Sequence, residues 1–214
     1  MKKLISLFLT LTIILVLAGC GKTDANETTK ETNNETTGES SDESQNESDL
    51  AYIKDNGKMI IGYTDYAPMN YYDESGTFTG FDTELARLVC EKLGVEAEFV
   101  EINWDTKEVE LNAKSIDAIW NGMTILPDRV ENMEVTDPYV KNAQVVVVKE
   151  GTEYEGTQSL IEMTVTAEQG SAGEKTIQAD ENLKQASYVP KTLQTEALME
   201  VKAGTSDAAV LDLT

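Results

Sequence analysis

Histidine is absent from this 214-residue chain, and cysteine occurs only twice. The first absence removes the commonest protein metal ligand and the commonest general base at neutral pH. Positive charge is scarce as well. Seventeen Lys and Arg stand against thirty-nine Asp and Glu, for a formal net charge of −22. A chain of that sign offers no basic patch, so neither nucleic acid nor an anionic lipid surface is expected to bind it through charge. Apolar side chains are nearly missing between residues 21 and 50, a run of Thr, Ser, Asn, Glu and Asp with repeated N-E-T-T and E-S units. Such a stretch buries too little surface to offset the entropy of ordering it, so residues 20–50 read as a disordered acidic tether.

What precedes the tether has the opposite character. Lys2 and Lys3 open the chain, a short apolar run follows, and small residues end it at Leu17-Ala18-Gly19-Cys20. That layout reads as a secretory signal peptide over residues 1–19; the alternative, an N-terminal anchor helix, would need a longer run to cross a bilayer. The Leu-Ala-Gly-Cys ending resembles a bacterial lipoprotein processing box. The resemblance implies cleavage before Cys20, acylation of that cysteine (palmitate among the chains) and a protein held at the extracytoplasmic face of the membrane. Several acyl chains suit such a role, because one alone anchors only marginally. With Cys20 lipidated, Cys90 has no intramolecular partner, so no internal disulfide is expected and the fold must rest on a hydrophobic core.

Globular patterning begins near Ala51. Residues 59–63 form a short apolar run, a good first strand, and residues 65–80 read as a loop or hairpin rich in aromatics, Asp and Gly. Asp82 is placed to cap a helix whose apolar face is Phe81, Leu85, Leu88 and Val89, with Gly94 as its stop. Residues 95–102 alternate apolar with Glu as a half-buried strand does, a helix is expected near 107–113, and short strands near 116–120 and over Gln144–Val148. From Gly151 the pattern restarts: a strand near 163–167, the Gly-rich turn Gln169-Gly170-Ser171-Ala172-Gly173 entering a helix, a strand at 188–189, a helix over 192–203 and a strand at 208–211. Strands alternating with helices point to an α/β class with crossover connections. The divisions drawn are a first lobe over 51–148 and a second, partial lobe over 149–214.

At this point a family resemblance can be stated. It is carried by Gly62-Tyr63-Thr64-Asp65-Tyr66-Ala67-Pro68, by Gly80-Phe81-Asp82 before a helix, by Ile116-Asp117-Ala118-Ile119, by Met123-Thr124-Ile125 with Pro127-Asp128-Arg129, by Thr136-Asp137-Pro138-Tyr139, by Gln169-Gly170-Ser171 and by the run from Ser206 to Asp212. In order and spacing these resemble the amino-acid type (family 3) of extracellular solute-binding proteins of ABC importers. The resemblance implies a two-lobed, periplasmic-binding-protein-like fold that closes on a free amino acid and delivers it to a membrane permease, as a monomer and without a cofactor or catalytic metal. It also implies a second lobe that continues past Thr214 and crosses back to the first, so the chain reads as a truncated form with its second lobe incomplete.

The resemblance further implies site residues that chemistry can weigh. An amino acid is a zwitterion. Arg129 would meet its α-carboxylate with a planar fork, as an alternative to a surface arginine that would oppose the dipole of the helix it begins. Thr124 would add a hydroxyl and an N–H, or simply cap that helix; Gly122 would let the backbone come close. Asp212 would accept from the α-ammonium, or sit solvated at a strand end. Ser171 would donate to the carboxylate at a helix N-terminus, and Ala172 stands where a second hydroxyl is usual. Tyr66 and Trp104 would pack on the ligand side chain or in the core. Glu168 would face that side chain and favour a cationic or polar one, unless a rotated turn put it in water, and Asp65 is similarly placed in a loop that reads one residue short. Two other functions stay open: a dehydratase-like enzyme on the same scaffold, for which Glu168 or Asp65 would have to supply the acid or base, and a lipoprotein that binds no small molecule.

Overall fold

The structure, a computed structural model, describes residues 48–214. Residues 1–47, which include the stretch read as a signal peptide, Cys20 and most of the stretch read as a tether, lie outside the described residues. Helix α1 (Asp49–Asn56) starts inside the stretch read as tether; Ser48 caps it, its side chain accepting from the Ala51 N–H at 3.2 Å.

The first lobe is built on a three-stranded parallel sheet of β1 (Lys58–Tyr63), β4 (Glu96–Glu101) and β5 (Ala118–Ile119) in the order β4-β1-β5. Met59, Ile61 and Tyr63 of β1 are all buried, as a period of two requires. The aromatic loop folds back as a hairpin of β2 (Tyr71–Tyr72) and β3 (Phe78–Thr79). Helix α2 (Phe81–Leu93) ends where Gly94 turns left-handed at φ 76°. Its core face differs from the expected one. Asp82, Thr83, Ala86 and Cys90 point inward, whereas Phe81 and Leu88 are exposed. Asp82 does not cap the helix, because Gly80 holds that position; it is fully buried and accepts from the Gly122 N–H and from the Tyr139 hydroxyl at 2.9 Å. Holding that carboxylate inside rotates the helix, and Phe81 stacks on Tyr139 instead. Cys90 is a buried free thiol in this core, with Ile53, Met59, Ile61 and Ala86. Helix α3 (Lys107–Asn112) follows β4 after a 3₁₀ turn at Trp104–Thr106, and α4 (Pro127–Asn132) follows β5.

The second lobe has a mixed sheet of β6 (Gln144–Val148), β7 (Thr164–Glu168), β8 (Ser187–Lys191) and β9 (Ala208–Asp212) in the order β6-β9-β7-β8. β9 runs parallel to β7 and antiparallel to β6. Helices α5 (Ala172–Ala179) and α6 (Gln194–Ala203) complete it. In β9, Ala208 and Val210 join a core with Val165, Ala167, Ile177 and Leu183, whereas Ala209 and Leu211 join one with Ala197 and Val201. Covering both faces is why this strand reads as an unbroken apolar run rather than an alternation. The lobe boundary drawn from sequence needs correction: β6, counted there with the first lobe, pairs with β9. The chain therefore crosses between lobes before β6, in residues 133–143.

Candidate functional site

Parallel strands place their carboxyl ends together, and the loops beyond those ends make the natural ligand crevice of an α/β sheet. Here both lobes turn those ends toward one cleft. Trp104 lies beyond β4, and Asn121, Gly122 and Thr124 lie beyond β5; across from them Glu168 is the last residue of β7, Asp212 the last of β9, and Gln194 opens α6 beyond β8. Arg129, Ser171 and Ala172 complete the wall of a narrow, polar space of about 10 Å³. That is room for about one water, so the side chains of the two lobes already stand close together.

Arg129 is 1% exposed, so it is not a surface arginine. Its guanidinium donates from Nη1 to the Thr124 carbonyl at 2.8 Å and from Nη2 to the Gly170 carbonyl at 3.0 Å, and it lies 5.9 Å from the centre of the Trp104 ring. No ion pair among the described residues includes it. Lys107 is its buried neighbour, donating to the Trp104 carbonyl at 3.0 Å and to the same Gly170 carbonyl at 3.1 Å. Burial, and then the Arg129 charge, lower the Lys107 ammonium to about 8. Gly170 thus receives two cations of the first lobe on a carbonyl of the second. Its φ is +71°, and an added Cβ would stand 2.9 Å from the Asp105 backbone, so only glycine lets the lobes meet here.

Asp212 is the most heavily held carboxylate in the cleft. Oδ2 accepts from Gln194 Nε2 at 2.7 Å, and the Asp212 N–H donates back to Gln194 Oε1 at 3.0 Å. Oδ1 accepts from the amides of Asn142 and Gln144 and, at 3.4 Å, from the Thr124 hydroxyl across the cleft. Thr124 is no helix cap, since Leu126 stands at that position of α4. Ser171 caps α5 by accepting from the Glu174 N–H at 3.1 Å, leaving its own proton to donate. Gly122, at φ +61°, gives its N–H to Asp82, and a Cβ there would press on Tyr66 and Met69 at 3.2 and 3.3 Å. Asn121 ties this loop to the one after β1 by accepting from the Thr64 hydroxyl at 2.7 Å and donating to the Asn70 side chain at 2.8 Å.

Glu168 is 2% exposed and lines the cleft, so the turn is not rotated outward. Burial, with the Asp212 charge second, pushes its carboxyl up to about 8, and Lys107 and Arg129 oppose the rise. Two residues named from sequence are not on the cleft wall. Tyr66 is buried beside Gly122 with its hydroxyl bonded to the Thr214 carbonyl at 2.9 Å and hydroxyl at 2.7 Å, and Asp65 does not reach the wall either. Lys107 and Gln194 went unrecognised in the sequence. Lys107 did carry a signal, because it opens a helix where the dipole disfavours a cation. Gln194 carried none.

Comparison with known proteins agrees with this two-lobed fold. The family model of the bacterial extracellular solute-binding proteins, family 3, matches residues 59–208. The ABC transporter glutamine-binding protein GlnH of Bacillus subtilis is 32% identical over 99% of this chain and 75% of its own length. A probable amino-acid ABC transporter-binding protein of Haemophilus influenzae is 44% identical, over 39% of this chain and only 33% of that protein. Among solved structures, a mutant of arginine-bound ArgBP from T. maritima superposes at a TM-score of 0.70 with 31% identity, over 76% of each chain. The ancestral amino acid-binding protein AncCDT-1, a precursor of cyclohexadienyl dehydratase, does so at 0.72 with 32% identity, over 77% of this chain and 74% of that one.

Proposed function

The chain belongs to the bacterial extracellular solute-binding proteins, family 3, and from that premise we propose that it captures a free amino acid outside the cytoplasm and delivers it to an ABC importer's permease. One observation carries the reading. A fully buried guanidinium that has no carboxylate partner among the described residues and a carboxylate held by three side-chain amides face one small cleft from opposite lobes. Those are the two ends of a clamp for a zwitterion: a fork for the α-carboxylate and an acceptor for the α-ammonium. Ser171 and Thr124 add hydroxyls within the same wall. Glutamine- and arginine-binding relatives support that substrate class. Calorimetric titration of the full chain with a panel of amino acids tests it; heats for none of the panel from a folded protein would end the proposal.

The reading extends to the membrane. Among the described residues no helix is long and apolar enough to cross a bilayer. The Leu17–Cys20 sequence supports attachment through acyl chains on Cys20, with the folded part acting as a monomer at the end of its tether. A Cys20→Ala variant should move from the detergent phase to the aqueous phase on extraction, and unchanged partitioning would count against the anchor.

A second reading has one observation in its favour. A carboxyl held protonated near neutrality, as Glu168 is, could serve as a general acid, and AncCDT-1 is a precursor of a dehydratase. Turnover of prephenate by the full chain distinguishes this enzyme from a binding protein.

A further inference from the structure

The cleft wall carries three charged side chains whose circumstances differ. Arg129 spends two donors on carbonyls, and Asp212 accepts from three amides and a hydroxyl. Glu168 has nothing comparable. It is 2% exposed, its Oε1 is enclosed without a hydrogen-bond partner, and no ion pair among the described residues includes it. Lys107, whose charge it feels, has turned its ammonium to the Trp104 and Gly170 carbonyls. An enclosed carboxyl without a donor is costly to fold, and such groups find a partner or a use.

The cleft it lines is where that partner must come from. The Arg129 fork and Asp212 account for the two ends common to every amino acid, so a third group on the same wall meets what varies, the side chain. We propose that Glu168 receives a cationic group on the side chain of the bound ligand, which makes the substrate class the basic amino acids. The assignment rests on the amino-acid-binding reading above. A full positive charge offsets the burial of a carboxylate better than a neutral amide does, because charge-assisted hydrogen bonds are about twice as strong as neutral ones. The carboxyl's position near 8 agrees: burial and the nearby Asp212 charge raise it, and a cation would return it to the carboxylate that pairs best.

Two ligand pairs isolate the charge. Citrulline replaces the guanidinium of arginine by a neutral urea of nearly the same shape, and norleucine is lysine without its ammonium. Titrating the full chain by calorimetry should show the cationic member of each pair binding at least about thirtyfold more tightly, the size of effect expected when one partner of a desolvated charge pair is removed. Glu168→Gln should shrink that ratio to below about threefold. Should that variant fail to fold, the wild-type ratios still decide. Equal or better binding of citrulline and norleucine, or an unchanged ratio in Glu168→Gln, overturns the assignment. If those neutral ligands bind tightly and lose affinity in Arg129→Ala, only the role of Glu168 falls; if no amino acid binds, the underlying reading falls with it.

Discussion

Gln194 and Asp212 hold each other at two points: the amide Nε2 donates to the carboxylate at 2.7 Å, and the Asp212 backbone N–H donates to the amide oxygen at 3.0 Å. The pair fixes the carboxylate's plane from a helix that starts eighteen residues earlier, so an incoming ammonium finds its acceptor already oriented. Gln194→Leu keeps the bulk and removes both bonds. Hydrogen bonds to charged groups contribute about 1.5–3 kcal/mol, so amino-acid affinity should fall by roughly tenfold or more. Unchanged calorimetric affinity would mean that Asn142 and Gln144 orient Asp212 without help.

If Arg129 meets the α-carboxylate, the loss of either partner should make loss of the other matter less. Arg129→Ala should weaken binding by about 2–5 kcal/mol, and Arg129→Lys should restore only part of it, because an ammonium cannot make the paired fork contact. Amidating the ligand's α-carboxyl should hurt the wild type badly and Arg129→Ala much less. Strictly additive losses across the four combinations would leave Arg129 as a brace between the Thr124 and Gly170 carbonyls, with no ligand contact.

Buried Glu168 and Lys107 should leave opposite marks on stability. The Glu168 carboxyl rises from its ordinary 4.5 to about 8 on folding, so between those values the folded chain binds more protons than the unfolded one. Its contribution to stability is therefore lost as pH rises through that window, at no more than about 1.4 kcal/mol per pH unit. Denaturant melts from pH 5 to 8 should show wild type losing ground to Glu168→Gln. Lys107 falls from 10.5 to about 8, so the unfolded chain holds the extra proton between 8 and 10.5 and stability recovers there as pH rises. Lys107→Met should abolish that recovery; parallel curves for either variant and wild type would show the corresponding group is not buried in solution.

Gly122 sits at φ +61° against Tyr66 and Met69. Gly122→Ala meets both a left-handed backbone and two close side chains, and should destabilise the fold by about 1–3 kcal/mol. The N–H that donates to Asp82 is kept, but the strain falls on the same residue and should also loosen the loop that carries Thr124. A melting temperature within a degree of wild type would remove the argument for glycine here.

How much was legible beforehand can be judged from single residues. The Gly94 stop, the strand runs and the Gly-rich turn entering a helix are local matters of backbone conformation and short-range hydrogen bonding, and the structure has them where the pattern put them. The inward face of α2 was not legible, because apolar spacing chose Phe81 and Leu88 whereas a buried hydrogen bond from a loop forty residues away chose Asp82. Nor was the membership of β6, since a β-branched run records that a strand forms but not which sheet it joins.

The sequence by itself determined the α/β alternation and the acidic character, because residue type and local spacing carry that information; the candidate clamp of Arg129, Thr124, Ser171 and Asp212 came only as what the family resemblance implies. Only the tertiary structure decided which of the named residues share one wall. It brought Trp104 and Glu168 onto that wall, turned the Tyr66 hydroxyl away to Thr214, added Gln194 to the wall and set Lys107 behind it on the Gly170 carbonyl. The reason is physical: a cleft is made where strand ends of two sheets meet, and the burial and pairing of charges there depend on contacts between residues distant in the chain, which no local pattern encodes.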